Sequence, residues 1–398
     1  MKNSLVPLIM TSLAHFINDG YNIIFSVLIT YYLFIPGLTL SILGAVAIVY
    51  TVTSGLLSTP LSLMAQRMGR HVPFMSLGIF LQGISAFLFI LPFIYHNISI
   101  ETIVAGAIIL GIGQSTYHPL GAFIISQSYE NQKAASYMGL NGSFGSLGRA
   151  AFPSLVVFSI EFLGYVTGLA FLGVLAIISA LLVDVFLKNI KFRPAKKEES
   201  TEKKTKTRIE KGFLAFVLYL TIMSFLRAIF FNGTLVYIPQ YFVELTKSHA
   251  LMGIVMTVSL LMAVIGQPLF GYLTTRWGGK IVVAITTVFS LITFALFLLF
   301  SRILVISVAS FALFSLFSLT SFPVLMGYVN QKIPKEIATV SSGIVWGIGV
   351  VLGGATGIGM ISILNYLHYS LAYSFWVVMI FGVISAVMIP WLEIWIEK

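Results

Sequence analysis

Long apolar runs recur along the whole sequence and leave few folds open to it. Of the 398 residues, 58% are hydrophobic and only 9% are charged, which excludes a soluble globular protein. The runs are continuous and do not alternate in hydropathy, which excludes the strands of an outer-membrane barrel. A bilayer core about 30 Å thick needs roughly 20 apolar residues per helix.

On that rule we predict an all-α integral membrane protein with twelve transmembrane helices. The spans are predicted at residues 5–34, 40–65, 73–94, 102–127, 134–159, 164–187, 213–243, 249–275, 280–300, 303–330, 336–363 and 371–392. The first run is too long and too polar for a cleaved signal peptide, so we predict that it is a retained helix.

A hydrophilic, charge-rich segment divides the spans into two sets of six. We predict an N-terminal six-helix bundle at residues 1–187, a basic cytoplasmic linker at 188–211 and a C-terminal six-helix bundle at 212–398. The two halves also echo each other, because Arg67-Met-Gly-Arg-His after the second span resembles Arg276-Trp-Gly-Gly-Lys after the eighth. Internal repeats of this kind are typical of secondary transporters.

The net charge of +10 is distributed unevenly between the two sides of the predicted membrane. Of the 23 Lys and Arg residues, 19 fall on the side of the termini and the linker. The positive-inside rule therefore predicts that both termini are cytoplasmic. The excess charge is explained by topology, and we predict no nucleic-acid partner.

The first span carries one polar stripe, which is unusual in an apolar helix. Ser12, His15, Asn18 or Asp19, Asn22 and Ser26 recur every three or four residues and so share one helix face. A carboxylate at mid-membrane costs roughly 2.5 to 3.5 kcal/mol on insertion scales, so it normally faces a cavity or a partner. We predict that Asp19 marks a transport pathway.

Two arginines lie inside predicted spans at a depth similar to that of Asp19. Arg149 and Arg227 each follow the cytoplasmic start of their span by about fifteen residues. One interpretation is an Asp–Arg pair that joins two helices. The other is that one arginine is the counter-ion of Asp19 while the second anchors an anionic substrate, since guanidinium suits phosphonate, phosphate or carboxylate groups.

A histidine lies within the fourth span, beside a proline and between glycines. His118 can be a hydrogen-bonded packing residue, or it can relay protons, as can His15 one turn from Asp19. We predict that proton coupling uses Asp19, His15, Arg149 and His118. The residues predicted to bind substrate are Arg149, Arg227, Asn18, Asn22, Gln114, Tyr117 and His118.

Basic turns and glycine runs complete the pattern. The turn residues can hold a gate in one state or only anchor the helices at the cytoplasmic face; they are Arg67, Gly69, Arg70, Arg276, Gly278 and Lys280. Glycines in the fifth and eleventh spans, at residues 139–148 and 343–357, predict close helix packing.

Taken together, the twelve spans, the central linker and the two basic turns resemble the major facilitator superfamily over essentially the whole chain. Its loop signature, Gly-x-x-x-Asp-Arg-x-Gly-Arg-Lys, matches residues 62–71 and 271–280, although both copies lack the acid, at Gln66 and Thr275. That departure puts in doubt a gate that uses the signature carboxylate.

Three shorter patterns are similar to the fosmidomycin-resistance group of exporters. They are His15-Phe16-x-Asn18-Asp19, Tyr117-His118-Pro119-x-Gly121 and Gly145-x-x-Gly148-x-Ala150-x-x-Pro153. The resemblance implies proton-driven export of a phosphonate or other drugs. Ser146 and Phe152 depart from the pattern of that group.

We therefore predict a secondary transporter in the plasma membrane that exchanges protons for a small organic or anionic solute, as an exporter. Proton-coupled uptake of an organic anion or sugar phosphate is the alternative within transport, and a non-transporting membrane sensor is the alternative of another class. No P-loop motif occurs, so an ion or solute gradient supplies the driving force and no cofactor is predicted.

The predicted partners are the solute, protons and the lipid bilayer, and the protein is predicted to be a monomer. Hydrolase and zinc-protease motifs do not occur, so we predict neither an enzyme, nor catalytic residues, nor a metal site.

Overall fold

The computed structural model describes residues 4–188, 190, 211–320, 324–325, 328, 332 and 341–394. Within this part of the chain all regular structure is helical. Among the described residues the α-helices with defined bounds are α1 Val6–Tyr32, α2 Leu40–Met68, α3 His71–Leu88, α4 Ser99–Ser128, α5 Asn131–Leu187, α6 Lys211–Leu235, α7 Ile238–Thr246, α8 His249–Trp277, α9 Gly279–Leu299, α10 Leu304–Ser318, α11 Gly353–Tyr366 and α12 Leu371–Met388. Short 3₁₀ turns at Leu91–Phe93 and His96–Ile98 lie between α3 and α4, and another at Ile389–Trp391 follows α12.

Nine helical stretches of the described residues are long and apolar enough to cross a membrane, and α10 is a shorter apolar helix. α1 is outside that group, since its polar stripe lowers its mean hydropathy. One of the nine stretches, Ser136–Leu187, supplies two of the predicted spans.

The chain reverses direction within α5 at Gly164, which has the positive φ of 80° that favours glycine. A Cβ on Gly168 would touch the backbone of Ser159, nine residues earlier. In a straight helix those residues would be about 13 Å apart. The fifth and sixth spans therefore form an antiparallel pair, and the break lies at Gly164 instead of at the predicted residues 160–163.

The predicted seventh span, residues 213–243, is wrong as a single helix. α6 ends at Leu235 and α7 begins at Ile238, with Pro239 in its first turn. Proline lacks the backbone N–H that would continue the preceding helix, and its ring clashes with the previous turn. The helix therefore stops four residues before the proline.

Helix packing follows the repeat that the sequence predicts. α1 packs against α5 in the first half, and α6 packs against α11 in the second. The halves meet where α2 packs against α11 and where α5 packs against α8. The second of these contacts is hydrogen-bonded, since the Ser154 Oγ donates to the Gly253 carbonyl at 3.0 Å and accepts from the Thr257 Oγ1 at 2.8 Å.

The eleventh span differs from the fifth in its backbone. Residues Val345–Leu352 form a π-helix that continues directly into α11. The predicted linker, residues 188–211, lies outside the described residues except at its ends, and α5 ends at Leu187, one residue before its predicted start.

Some of the predicted glycine contacts occur and others do not. A Cβ on Gly145 would overlap the His15 ring, and one on Gly148 would overlap the backbone carbonyl of Phe16. In contrast, no described residue lies within 4 Å of the Cβ positions of Gly139 and Gly343. Close approach is therefore a property of particular glycines, and those of α5 bring it against α1.

Replacing Gly148 by Ala is expected to destabilise the protein by about 1–3 kcal/mol, because the new methyl group meets backbone that cannot rotate away. Thermal melting of the purified protein in detergent measures the effect. Gly139→Ala is the matched control on the same helix, and its melting temperature should not fall. Equal melting of the two variants would contradict the close α1–α5 contact.

Candidate functional site

A buried ion pair joins α1 to α5. The Nη2 of Arg149 donates to the Oδ2 of Asp19 at 2.7 Å, and Asp19 is only 4% exposed. Gly145 and Gly148 allow this distance, because they remove the side chains that would hold α5 away from α1. The predicted Asp–Arg pair is thus present, and Arg149 is its arginine.

The other oxygen of the same carboxylate faces two histidines. The Nε2 of His15 lies 3.5 Å and the Nε2 of His118 lies 3.6 Å from Asp19 Oδ1. His15 is one turn before Asp19 on α1, while His118 comes from α4 and its side chain is 54% exposed. Asn18 also donates to Oδ1, at 3.1 Å. The four residues predicted for proton coupling therefore form one cluster, and His118 is its accessible member.

Asn141 on α5 supports the cluster from behind. Its Oδ1 lies 2.9 Å from the Nδ1 of His15 and 3.0 Å from the hydroxyl of Tyr117. The Tyr117 hydroxyl also lies 2.9 Å from the Thr11 carbonyl, and its ring packs on His15 with centroids 4.6 Å apart. The sequence prediction did not include Asn141, although it is the single amide in the glycine run of the fifth span.

The predicted substrate amides are bound to one another across three helices. Asn22 donates to the Gln114 Oε1 at 3.3 Å, and the Gln114 Nε2 donates to the Asn18 carbonyl at 3.4 Å. The Asn18 side-chain oxygen accepts from Gln82 of α3 at 2.7 Å. Gln82, which the sequence prediction also missed, is a polar residue in an apolar span. These bonds fix the face of α1 that carries Asp19.

Arg227 on α6 is not part of the cluster, so among the described residues Arg149 is the arginine that pairs with Asp19. It is 4% exposed, its Nη2 donates to the Thr286 Oγ1 of α9 at 3.2 Å, and its guanidinium lies 4.8 Å from the Phe231 ring centre. Its Nε has no hydrogen-bond partner, and no acid among the described residues forms an ion pair with it. The position of Arg227 around the α6 axis directs its side chain toward Thr286 of α9. Its depth along the span does not indicate that direction.

The two basic turns differ in what they bind. Gly69 has a φ of 64° and ends α2, with the Arg70 N–H donating back to the Ala65 carbonyl at 3.0 Å. Gly278, with a φ of 85°, separates α8 from α9. In the first turn Arg67 and Arg70 form no ion pair with the described residues. Within the same part of the chain, Arg276 in the second turn donates to the Tyr272 hydroxyl at 3.4 Å.

Lys280 does bind a carboxylate, that of Glu393 beyond α12. Its Nζ lies 3.7 Å from Oε2, while Lys332 and the Tyr328 hydroxyl lie 2.7 Å and 3.0 Å from Oε1. Burial on its own would raise the pKa of Glu393, but the hydrogen bonds from Lys332 and Tyr328 and the two lysine charges outweigh it and hold the pKa below its ordinary value of 4.5. The C-terminal half thus contains a carboxylate contact of the kind predicted for a gate, with an acid outside the loop signature.

The chain matches a known protein family over most of its length, and solved structures of other proteins share its fold. The family model of the Major Facilitator Superfamily matches residues 11–247 and 220–397. A D-xylose-proton symporter is 16% identical, with a TM-score of 0.78 and 97% of each chain covered. The nucleoside transporter NupG is 13% identical, with a TM-score of 0.75 over 97% of this chain and 99% of that one.

A bacterial homolog of the human lysosomal transporter Spinster, in an inward-facing and unoccupied conformation, is also similar. It is 13% identical, with a TM-score of 0.75 over 98% of this chain and 97% of that one. A search of the curated proteins gives no match. The structural likeness confirms the predicted all-α fold of twelve transmembrane helices in two halves.

Replacing Glu393 by Gln is expected to lower the melting temperature at pH 7 by about 1–2 °C, since ion pairs whose lysines are partly exposed to solvent contribute about 1 kcal/mol. Folding depresses the pKa of this acid, so its stabilisation is present above pH 4.5 and is lost as the pH falls below that value. The difference from the parent protein should therefore close at acid pH. An equal effect of Glu161→Gln, at an exposed acid on α5, or a difference that does not change with pH would contradict the Glu393 contacts.

Proposed function

Because the chain belongs to the major facilitator superfamily, we propose that it exchanges protons for a small organic or anionic solute by alternating access, in the direction of export. Membership makes it a multi-pass membrane transporter whose substrate is a small molecule. The coupling ion, the direction and the class of solute are inferred below from the residues of the two halves.

The observation that carries the proposal is the Asp19 carboxylate, held between Arg149 and two histidines at 4% exposure. Arg149 stabilises the charged carboxylate while the two are in contact, and a proton on Asp19 would cancel that attraction. Proton binding at Asp19 is therefore coupled to the contact between α1 and α5. His118, the accessible member of the cluster, offers the route by which a proton arrives.

The cluster lies close to the contact between the two halves. Arg149 and Ser154 are on the same helix, α5, with a rise of about 7.5 Å between them. Ser154 is hydrogen-bonded to α8 of the other half, through Gly253 and Thr257. A change in the Asp19–Arg149 pair is thus transmitted along one helix to the surface at which the halves move.

Arg227 is the residue that we propose for the anionic part of the solute. Asp19 and Arg149 balance each other in charge, whereas no described acid pairs with Arg227. A guanidinium that is buried with a free Nε favours a phosphonate, phosphate or carboxylate group, which would supply the missing charge and the missing acceptor. Gln114, Tyr117 and His118 on α4 complete the proposed solute site in the first half.

The subgroup motifs add support for a drug exporter. Residues from all three patterns shared with the fosmidomycin-resistance exporters lie in one place: His15 and Asp19 of the first, Tyr117 and His118 of the second, and Gly145 of the third. We therefore propose a phosphonate-like solute. The distribution of positive charge supports insertion in the plasma membrane with both termini in the cytoplasm, and we expect a monomer.

Uptake is the second candidate, and the state of Arg149 favours it. An anion that binds Arg149 must displace the Asp19 carboxylate, and displacement is easiest when Asp19 carries a proton. Proton and anion would then bind together, as in symport. If the solute binds at Arg227 and competes with the proton, the result is antiport instead. Solute binding would release a proton in antiport and take one up in symport, and this difference separates the two candidates.

Asp19→Asn is expected to abolish pH-driven transport while solute exchange persists, because the asparagine cannot carry the coupling proton. Proteoliposomes with an internal pH dye and labelled fosmidomycin as the probe measure both processes. Asp184→Asn, at the cytoplasmic end of α5, is the control and should transport as the parent does. Unchanged pH-driven transport in Asp19→Asn would exclude the coupling role.

Arg227→Gln is expected to weaken the binding of an anionic probe by about 10- to 100-fold, because a hydrogen bond to a charged group contributes a free energy of that size. A neutral ester of the same probe should change little. Arg302→Gln, at an exposed loop position, controls for loss of charge in general. Equal losses for the anionic and neutral probes would show that Arg227 has a structural role and does not bind the anion.

A further inference from the structure

We propose that His15, His118 and Asp19 form a binding site for one divalent transition-metal ion of the Zn²⁺ type. The site goes beyond the proposed transport activity and does not depend on it. Each residue offers one ligand atom, and the three atoms, the two Nε2 atoms and Asp19 Oδ1, all lie within 4.8 Å of one another.

The spacing of these atoms suits a metal without rearrangement of the helices. The two histidine nitrogens lie 3.5 Å and 3.6 Å from Asp19 Oδ1. Ligands bound tetrahedrally to Zn²⁺ at 2.0–2.1 Å are about 3.4 Å from each other. The two Nε2 atoms lie within 4.8 Å of each other, so they must approach by up to about 1.4 Å to complete three of the four positions, a shift that rotation of the exposed His118 side chain can supply.

Asn141 orients the first histidine as a ligand. With its Oδ1 toward the ring, it accepts a hydrogen bond from the His15 Nδ1–H at 2.9 Å. In that tautomer the Nε2 lone pair of neutral His15 points at Asp19 Oδ1, so two acceptors face each other across 3.5 Å. A cation between them removes the repulsion, and a second hydrogen bond of this type is what metal-bound histidines usually make.

Arg149 occupies one oxygen of Asp19 and adds a positive charge beside the site. It binds Asp19 Oδ2, so a metal would bind Oδ1, which also accepts a hydrogen bond from Asn18 at 3.1 Å, as a single donor. Two imidazole nitrogens and one carboxylate oxygen favour Zn²⁺, Co²⁺ or Ni²⁺ over Mg²⁺ and Ca²⁺, which prefer oxygen ligands throughout. The open position adjoins His118, whose side chain is 54% exposed, and the Arg149 charge favours an anionic oxygen there, such as hydroxide.

Titration of the full-length protein with Co²⁺ tests the site by visible absorption. The protein is purified in detergent without a polyhistidine tag, and Zn²⁺ is then added as a competitor. We expect one equivalent of Co²⁺ with the intense d–d bands of four- or five-coordinate ligation, full displacement by Zn²⁺, and no competition from Mg²⁺.

His118→Ala is the decisive variant, because its exposed side chain leaves the fold intact. It should weaken Co²⁺ binding at least 10-fold and alter the bands, and Asn141→Ala should weaken binding by about 10-fold or more through the orientation of His15. His96→Ala, at an exposed loop position, is the control and should bind as the parent does. Absence of stoichiometric binding to the parent protein, or identical titrations for His118→Ala and the parent, would overturn the proposal.

Discussion

The ion pair between Asp19 and Arg149 is the interaction on which the first half depends. Removing one member of such a buried pair typically costs about 3–5 kcal/mol, because the other charge is left without a partner. Each charge is therefore tolerable only while α1 and α5 stay together. In the transport cycle that we propose, a ligand replaces one partner when this contact opens: a proton replaces the arginine, or an anion replaces the carboxylate.

Glycine is what makes this pair geometrically feasible. A Cβ on Gly145 or Gly148 would overlap α1, so these positions set the separation of the two helices and hence the 2.7 Å contact. In membranes, where lipid is as apolar as the helix surface, close packing of this kind replaces the hydrophobic force that joins helices in water. The polar cluster and the glycine contacts are thus two parts of one helix–helix interface.

Much of this arrangement could be predicted from the sequence, because lipid imposes strict rules. Helix number, the polar stripe of α1 and the partner of Asp19 follow from span length, helical periodicity and charge balance. The rest depends on helix rotation, which depth along a span does not fix. For that reason the sequence did not show that Arg227 faces Thr286 or that Asn141 supports the cluster. The break between α6 and α7 follows from Pro239, which interrupts the helix within a continuous apolar run.

The π-helix at Val345–Leu352 makes the two halves mechanically unequal. A π turn holds one residue more than an α turn, so its conversion to α geometry would rotate everything beyond it by about 100° and advance it by about 1.5 Å. The eleventh span packs on α2 of the opposite half mainly through α11, which directly follows the π-helix, whereas α5, its counterpart in the repeat, packs on α8. A conversion of the π-helix would therefore shift the α11 surface that packs on α2, whereas the contact between α5 and α8 is made by α-helix on both sides.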